Sequence, residues 1–558
     1  METLQQALKR AIHDLFNTDL TPELTRPDEQ FGDYATNVSM QLAGRLGKNP
    51  REVAEQLAAH LRESLSAEVQ EVTVAGPGFI NLRLSDVFLA SAATAAISAA
   101  PRTLEGKTVI AEYSDPNPFK PLHAGHLYTT LMGDIIARLV AHAGAKTIRV
   151  NYGGDVGLHV GRCMWGILQY LGGERPEKLS EIAENERSKW MGTCYVTGNT
   201  AYENDEQAKA EIITANKRVY QLHKDNDHDS PFAQIYWTCR QWSYEYFATL
   251  YDQLQVVPFD RYIPESEVTP LGLQTVEEQL QKGVFEKSDG AVVFDGEKLG
   301  LHTRVFISSE GLPTYEAKDI GLSLTKWRDY QFDKSIIITA NEQAQYMQVI
   351  LAAIKQFAPE PAERTEHLTH GIVKLKGGIK ISSRKGNGPS ALDILQAARE
   401  AGAETGTNPS EDTILAAIKY AFAKNRIGGD VIYDPKESIA LEGNSGPYLQ
   451  YAHARARSIL KKAANGGGEL ATFDEAERPL ARKLSEYPEV IQKAIDELMP
   501  HYVCTYLYEL AQAFNRFYEH AQVVGDPREA TRLTLVRLYA DILRDGLGLL
   551  GIGAPESI

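Results

Sequence analysis

Cysteine is scarce in this 558-residue chain, and the four present (Cys163, Cys194, Cys239 and Cys504) lie at least 31 residues apart. With no CxxC pair, the sequence argues against a zinc knuckle, a thioredoxin-type site and a secreted disulfide framework. Positive charge also falls short: 58 Lys and Arg stand against 74 Asp and Glu, a net of −16. The molecule as a whole repels polyanions, so a nucleic-acid partner has to be met by a local basic surface. No run of about 18 apolar residues exists that could span a bilayer. The start, Met-Glu-Thr-Leu-Gln-Gln, lacks the basic residues and apolar run of a signal peptide. Internal repeats, heptad runs and long low-complexity segments are missing too. These absences lead to the expectation of a cytoplasmic protein without a membrane partner. What is present is ordinary core-forming material, 43% hydrophobic and 24% charged, at a length that predicts about three to five domains.

The pattern changes twice along the chain. Residues 1–105 read as a small α+β unit. Asn49 and Pro50 mark a helix start, with Val53, Leu57, Leu61 and Leu65 at helical spacing behind them. A hairpin follows, its strands around Val72–Val74 and Ile80–Leu84 and its turn at Ala75-Gly76-Pro77-Gly78. An alanine-rich helix from about Ser85 to Ala100 leads out, ended by Pro101. Residues 106–440 alternate strands with helices, which predicts an α/β unit on a largely parallel sheet. Thr108–Tyr113, Ile148–Tyr152 and Ser335–Ala340 read as strands, and Ala124–His142 as a helix closed by Gly144. A polar, charged stretch near 172–235 reads as a mostly helical insertion. Residues 441–558 read as all-helical, with Asp526 placed to cap a last helix carrying Leu535, Leu538, Tyr539 and Ile542 on one face.

Two stretches carry chemistry. In the first, Ser114-Asp115-Pro116-Asn117-Pro118-Phe119-Lys120-Pro121-Leu122-His123-Ala124-Gly125-His126, a buried strand feeds a proline-stiffened loop that enters a helix. Ligands bind at the carboxyl ends of parallel strands, and a helix N-terminus there favours phosphate. Two histidines flanking a glycine add N–H donors where a ligand can approach the backbone. The residues alone also admit a metal pair or two surface histidines, although no carboxylate or cysteine stands at metal-ligand spacing. The second stretch, His370 to Asn387, holds five basic residues and no acidic one on a Gly- and Ser-rich segment. In so acidic a protein it suits a polyphosphate clamp, although standing alone it better suits a solvated surface loop.

Together the two stretches resemble the HIGH and KMSKS signatures of class I aminoacyl-tRNA synthetases, here His123-Ala124-Gly125-His126 and Lys380-Ile381-Ser382-Ser383-Arg384. The flanking Ser-x-Pro-Asn-x-x-Lys-Pro-x-His run narrows the resemblance to the arginyl-tRNA synthetase family. Gly32-Asp33-Tyr34-Ala35-Thr36-Asn37, Asn151-Tyr152-Gly153-Gly154-Asp155, Gly446 to Arg455 and Leu549-Leu550-Gly551-Ile552 agree with it, over essentially the whole chain and in order. The resemblance implies a Rossmann-like parallel-sheet catalytic domain between a small N-terminal α+β domain contacting tRNA and an all-α C-terminal helical bundle that reads the anticodon. It implies a two-step reaction. ATP and L-arginine form arginyl-adenylate and pyrophosphate, and arginine then passes to the 3′-terminal ribose of tRNA(Arg), leaving AMP.

By the same resemblance the catalytic residues are His123, His126, Lys380 and Arg384. ATP, with Mg2+ as its companion, falls to Pro116, Lys120, His123, Gly125, His126, Lys380, Ser382 and Ser383. Arginine falls to Glu112, Ser114, Pro116, Asn117, His123, Tyr315, Asp319 and Gln343. A planar guanidinium needs carboxylates that accept from its fork, and Tyr315 and Asp319, four apart, share one helical face. Asn117 and Gln343 suit the amino and carboxylate end. Transfer RNA falls to Tyr448, Gln450, Tyr451, His453 and Arg455, in a stretch from Asn444 to Gly468 with no acidic residue. No structural metal, tightly bound cofactor or DNA partner is implied, and a monomer is the default.

The pattern departs at Arg384 and Ile381, where the signature has lysine and methionine, so Lys385 or Lys120 could share the pyrophosphate contact. The insertion is too short for a large editing domain. Two other readings compete. Another class I synthetase or nucleotidyltransferase predicts no arginine pocket. A catalytically dead tRNA-binding relative predicts the loss of His123, His126, Lys380 or Asp319, and all four are present.

Overall fold

The computed structural model describes residues 2–376, 390–406, 408–463 and 467–557. The N-terminal unit is a three-stranded antiparallel sheet of β1 (Tyr34–Thr36), β2 (Val69–Ala75) and β3 (Phe79–Leu84), in the order β1-β3-β2, backed by helices. Asn49 caps the helix Pro50–Ser64 by accepting from the Arg51 N–H, and Pro50 occupies the first turn, where no N–H partner is needed. The hairpin and its turn lie where the sequence predicts. The alanine-rich helix is shorter than expected: it runs Asp86–Ala95, capped by Ser85, and then loosens into turns.

The second unit is built on β4 (Thr108–Glu112), β5 (Lys146–Gly153) and β6 (Arg261–Pro264). A three-stranded antiparallel sheet of β7 (Glu286–Ser288), β8 (Ala291–Phe294) and β9 (Arg304–Ile307) follows, and then β10 (Lys334–Ala340) and β11 (Thr365–His370). The main sheet is parallel throughout, in the order β11-β10-β4-β5-β6. The chain moves outward from β4 through β5 to β6, then returns to β4's other side at β10. That reversal opens a crevice at the carboxyl ends of β4 and β10, the place where doubly wound sheets bind ligands. Val109, Ile110, Ala111, Ile336 and Ile338 are fully buried, as strands covered by helices on both faces require. The insertion between β5 and β6 is helical, with Leu158–Leu171, Arg187–Asn204, Glu206–Asp225 and Pro231–Gln253 packed around one core. A short parallel pair, β12 (Val373–Leu375) with β13 (Val431–Tyr433), completes the strands.

From Gly446 onward the described residues form helices only, the longest being His501–His520 and Glu529–Leu549. Leu535, Tyr539 and Ile542 are buried on the last of these, with Leu538 partly buried beside them. Asp526 caps the entering turn by accepting from the Arg528 N–H, so the helix starts three residues after it. No helix among the described residues is long and apolar enough to cross a membrane.

Candidate active site

The loop after β4 is strained. Ser114, Asp115 and Phe119 all take positive φ (75°, 48° and 69°), costly for residues with a Cβ and concentrated here in six positions. Buried bonds hold it. The Ser114 hydroxyl sits 2.7 Å from the Tyr251 hydroxyl and accepts from Thr130, and the Phe119 N–H donates to Ser243. Asp115 accepts from the Tyr152 N–H on β5, and Asn117 Oδ1 accepts from the Gly154 N–H. Pro116 is buried, its carbonyl oxygen 2.9 Å from where a Cβ on Gly153 would lie.

The loop ends in the helix Ala124–His142, whose start is a histidine capping box. His123 Nδ1 accepts from the Gly125 N–H, and His126 Nδ1 accepts from the His123 N–H. Burial, then Lys120, lowers the pKa of His123; burial, then His123 and Lys120, takes that of His126 well below the usual imidazole range. Both rings are therefore neutral near pH 7. With each Nδ1 accepting from backbone, each remaining proton is assigned to Nε2, which becomes an outward donor. The rings stand 3.8 Å apart. Gly125 is required first by this arrangement: a Cβ there would lie 2.8 Å from the His123 ring. Lys120 lies over the Tyr195 ring of the insertion, 4.9 Å from its centre.

Ser390 and Ala391, which come after the basic stretch, lie beside His123. Ser390 forms an isolated antiparallel bridge with His123, and the Ala391 N–H donates to the Leu122 carbonyl. At the other end Lys376 follows β12. The signature residues Lys380, Ser382, Ser383 and Arg384, and Lys385, lie outside the described residues.

The helix Tyr315–Tyr330 comes close to the loop after β4, where its Asp319 acts on Asp115. Tyr315, 52% exposed, opens this helix, and Asp319, half-buried, follows one turn on. Asp319 accepts from the Tyr346 hydroxyl at 2.6 Å and has no cationic partner among the described residues. Burial, reinforced by Glu112, Glu265 and Glu316, pushes its pKa up to about 7. Asp115 is raised well above the usual carboxylate range for the same reason, burial first and Glu112 next. Glu112 differs, because Lys326 from the same helix holds its carboxylate in a buried ion pair with Ser335 beside it. A second buried pair, Lys318 with Glu265 at 2.6 Å, ties that helix to Glu265–Gln281. Gln343 ends the short turn after β10, half-buried at the carboxyl edge of the sheet. Tyr346, Lys326 and Glu265 lie in stretches that carry no motif, and Asp115 lies inside one that does without a role of its own there; each gains its role only from a neighbour distant in the chain.

The C-terminal positions divide. Tyr451, 48% exposed, and Arg455, whose guanidinium lies 4.5 Å from the Tyr518 ring centre, are at the surface. Tyr448 is half-buried and accepts from Asn515. Gln450 and His453 are fully buried and hold the last residues of the chain, through the carbonyls of Gly553 and Pro555. In this arrangement they anchor the tail.

Comparison with known proteins decides the family. The description "tRNA synthetases class I (R), catalytic domain" matches residues 90–434, more than half the chain. This chain belongs to the arginyl-tRNA synthetase family. The "Arginyl tRNA synthetase N terminal domain" matches residues 2–84 and the "DALR anticodon binding domain" residues 449–558. Among curated family members it is 30% identical to the arginine–tRNA ligase of Mannheimia succiniciproducens, over 95% of this chain and 94% of that one. It is 29% identical to the arginine–tRNA ligase of Phocaeicola vulgatus, over 100% of this chain and 99% of that one. Its structure is similar to that of the Thermus thermophilus arginyl-tRNA synthetase, with a TM-score of 0.80, 26% identity and full coverage of both chains.

Proposed function

We propose that the chain is an arginine–tRNA ligase. It activates L-arginine with ATP to arginyl-adenylate, releases pyrophosphate, and transfers arginine to the 3′-terminal ribose of tRNA(Arg). The observation that carries this reading is the Asp319 carboxylate, half-buried near Glu112 and Asp115 with no cation paired to it among the described residues. A cluster of carboxylates with one ion pair among them attracts a cationic ligand, and a guanidinium between Tyr315 and Asp319 would supply the missing charge.

In the first step, Nε2–H groups of His123 and His126 would stabilise charge building on the α-phosphate at the helix N-terminus. Because both rings are neutral, positive charge has to come from Lys120, the Mg2+ that accompanies ATP, and Lys380 and Arg384 of the basic segment. No general base is needed, since in-line displacement at phosphorus depends on positioning and charge. In the division proposed, residues 1–105 and 441–558 flank a catalytic unit of 106–440 and meet the tRNA, with Tyr451 and Arg455 offering a stacking face beside a charge. A monomer in the cytoplasm suffices for this chemistry. Asp319→Ala tests the assignment: arginine recognition should weaken by about 2 to 5 kcal/mol, a charged pair having lost a partner. A near-normal KM for arginine in that variant would refute it.

A further inference from the structure

The sequence Gly157-Leu158-His159 enters the helix Leu158–Leu171 that follows β5. His159, 5% exposed, places Nε2 at 2.7 Å from the Gly154 carbonyl oxygen. Nε2 is then the donor, and Nδ1 is left as an acceptor with no partner among the described residues. Burial, aided by Lys120 and Lys318, pushes the His159 pKa down to about 3, so the ring stays neutral at any working pH. The other polar group of Gly154, its N–H, donates to Asn117 Oδ1 at 2.9 Å. Gly154 is thus pinned on both sides, by His159 at its C=O and by Asn117 at its N–H. The fit is close, since a Cβ on Gly154 would lie 2.5 Å from Asn117 Oδ1 and 3.0 Å from Glu265 Oε1.

This arrangement fixes how the Asn117 amide is used. Its oxygen is engaged with backbone, so the NH2 group is what remains for a ligand. A pair of N–H donors fits a carboxylate and repels an ammonium. We propose that His159 is a positioning residue for bound arginine: by holding Gly154 it orients the Asn117 amide so that its NH2 group meets the carboxylate of the amino acid. The proposal rests on the reading of the chain as an arginine–tRNA ligase. Without the imidazole, the Gly154 peptide can rotate and the amide loses its fixed orientation, which weakens arginine while leaving the ATP site intact.

Steady-state charging of tRNA by the full-length protein tests this, with KM for arginine and for ATP measured separately. His159→Phe, or His159→Leu if the larger ring does not fit, should raise KM for arginine roughly tenfold, the scale of one lost buried hydrogen bond. KM for ATP should stay within about twofold. His159→Gln, which keeps a donor for the Gly154 carbonyl, should restore most of the loss. In an Asn117→Ala background the same His159 change should add less than about twofold, because the two act through one amide. An unchanged KM for arginine, an equal rise for ATP, or full additivity with Asn117→Ala overturns the proposal. If the parent protein fails to charge tRNA with arginine, the functional reading falls and takes the proposal with it. Charging by the parent with unaltered constants in the variants removes the proposal alone.

Discussion

Asp319 has an ordinary side chain in an unusual setting, and the setting has a thermodynamic consequence. Its pKa of about 7 in the folded protein exceeds the ordinary aspartate value. Between the two, the folded state holds a proton that the unfolded chain releases, so the stability present at low pH is lost as pH rises through about 7. Asp319→Asn should therefore unfold at a temperature no lower than the parent above pH 7, while failing to bind arginine; calorimetry across pH checks this. Saturating L-arginine should raise the melting temperature of the parent and not of the variant. Arginine binds the ionised carboxylate, so its affinity should fall as pH drops below about 7, by up to tenfold per unit, measurable by titration calorimetry. That Tyr315 and Asp319 lie together on one helix was legible from their spacing. The engagement of Glu112 with Lys326 was not, because it depends on a contact 214 positions apart.

Among the elements, the pair of helices Glu265–Gln281 and Tyr315–Tyr330 sets where Asp319 stands. They approach so closely that a Cβ on Gly272 would lie 2.0 Å from the Ala317 carbonyl oxygen, and one on Gly321 would lie 2.2 Å from that of Val268. Backbone cannot yield as a flexible side chain does, so Gly321→Ala should push the helices apart and displace Asp319 from Tyr346. The expected outcome is a stability loss of about 1 to 3 kcal/mol with a raised KM for arginine, followed by denaturant unfolding and charging assays. Elements with strong periodicity or caps, such as Pro50–Ser64 and Ala124–His142, were legible in the sequence to within a residue. The antiparallel strands β7 to β9 were not. They are three or four residues long, and the exposed Glu286-Lys287-Ser288 has no apolar alternation.

For the whole molecule, the N-terminal unit is clamped to the C-terminal helices by buried charge. Asp33 accepts from the Leu84 N–H and from Arg478 at 2.8 Å, with Arg482 beside it. Arg26 and Tyr34 meet Glu489, the former at 2.8 Å. The Gly-Asp-Tyr motif was visible in the sequence as a family likeness, and its physical meaning, a joint between distant segments, was not. Arg478→Met leaves Asp33 buried with a poorer partner and should cost about 3 to 5 kcal/mol, seen as a lower melting temperature. Weakened tRNA affinity at an unchanged KM for arginine should accompany it. Arg455→Ala should weaken tRNA binding more at low salt than at high salt, lowering the slope of log K against log salt by about one. The central claim, that this acidic molecule activates arginine, is tested most directly by arginine-dependent ATP–pyrophosphate exchange with and without cognate tRNA. Exchange should require arginine and, by the family resemblance, tRNA as well. Exchange with arginine alone would keep the activity and remove the tRNA requirement. Folded protein that gives no exchange with arginine under either condition would show that it does not activate arginine.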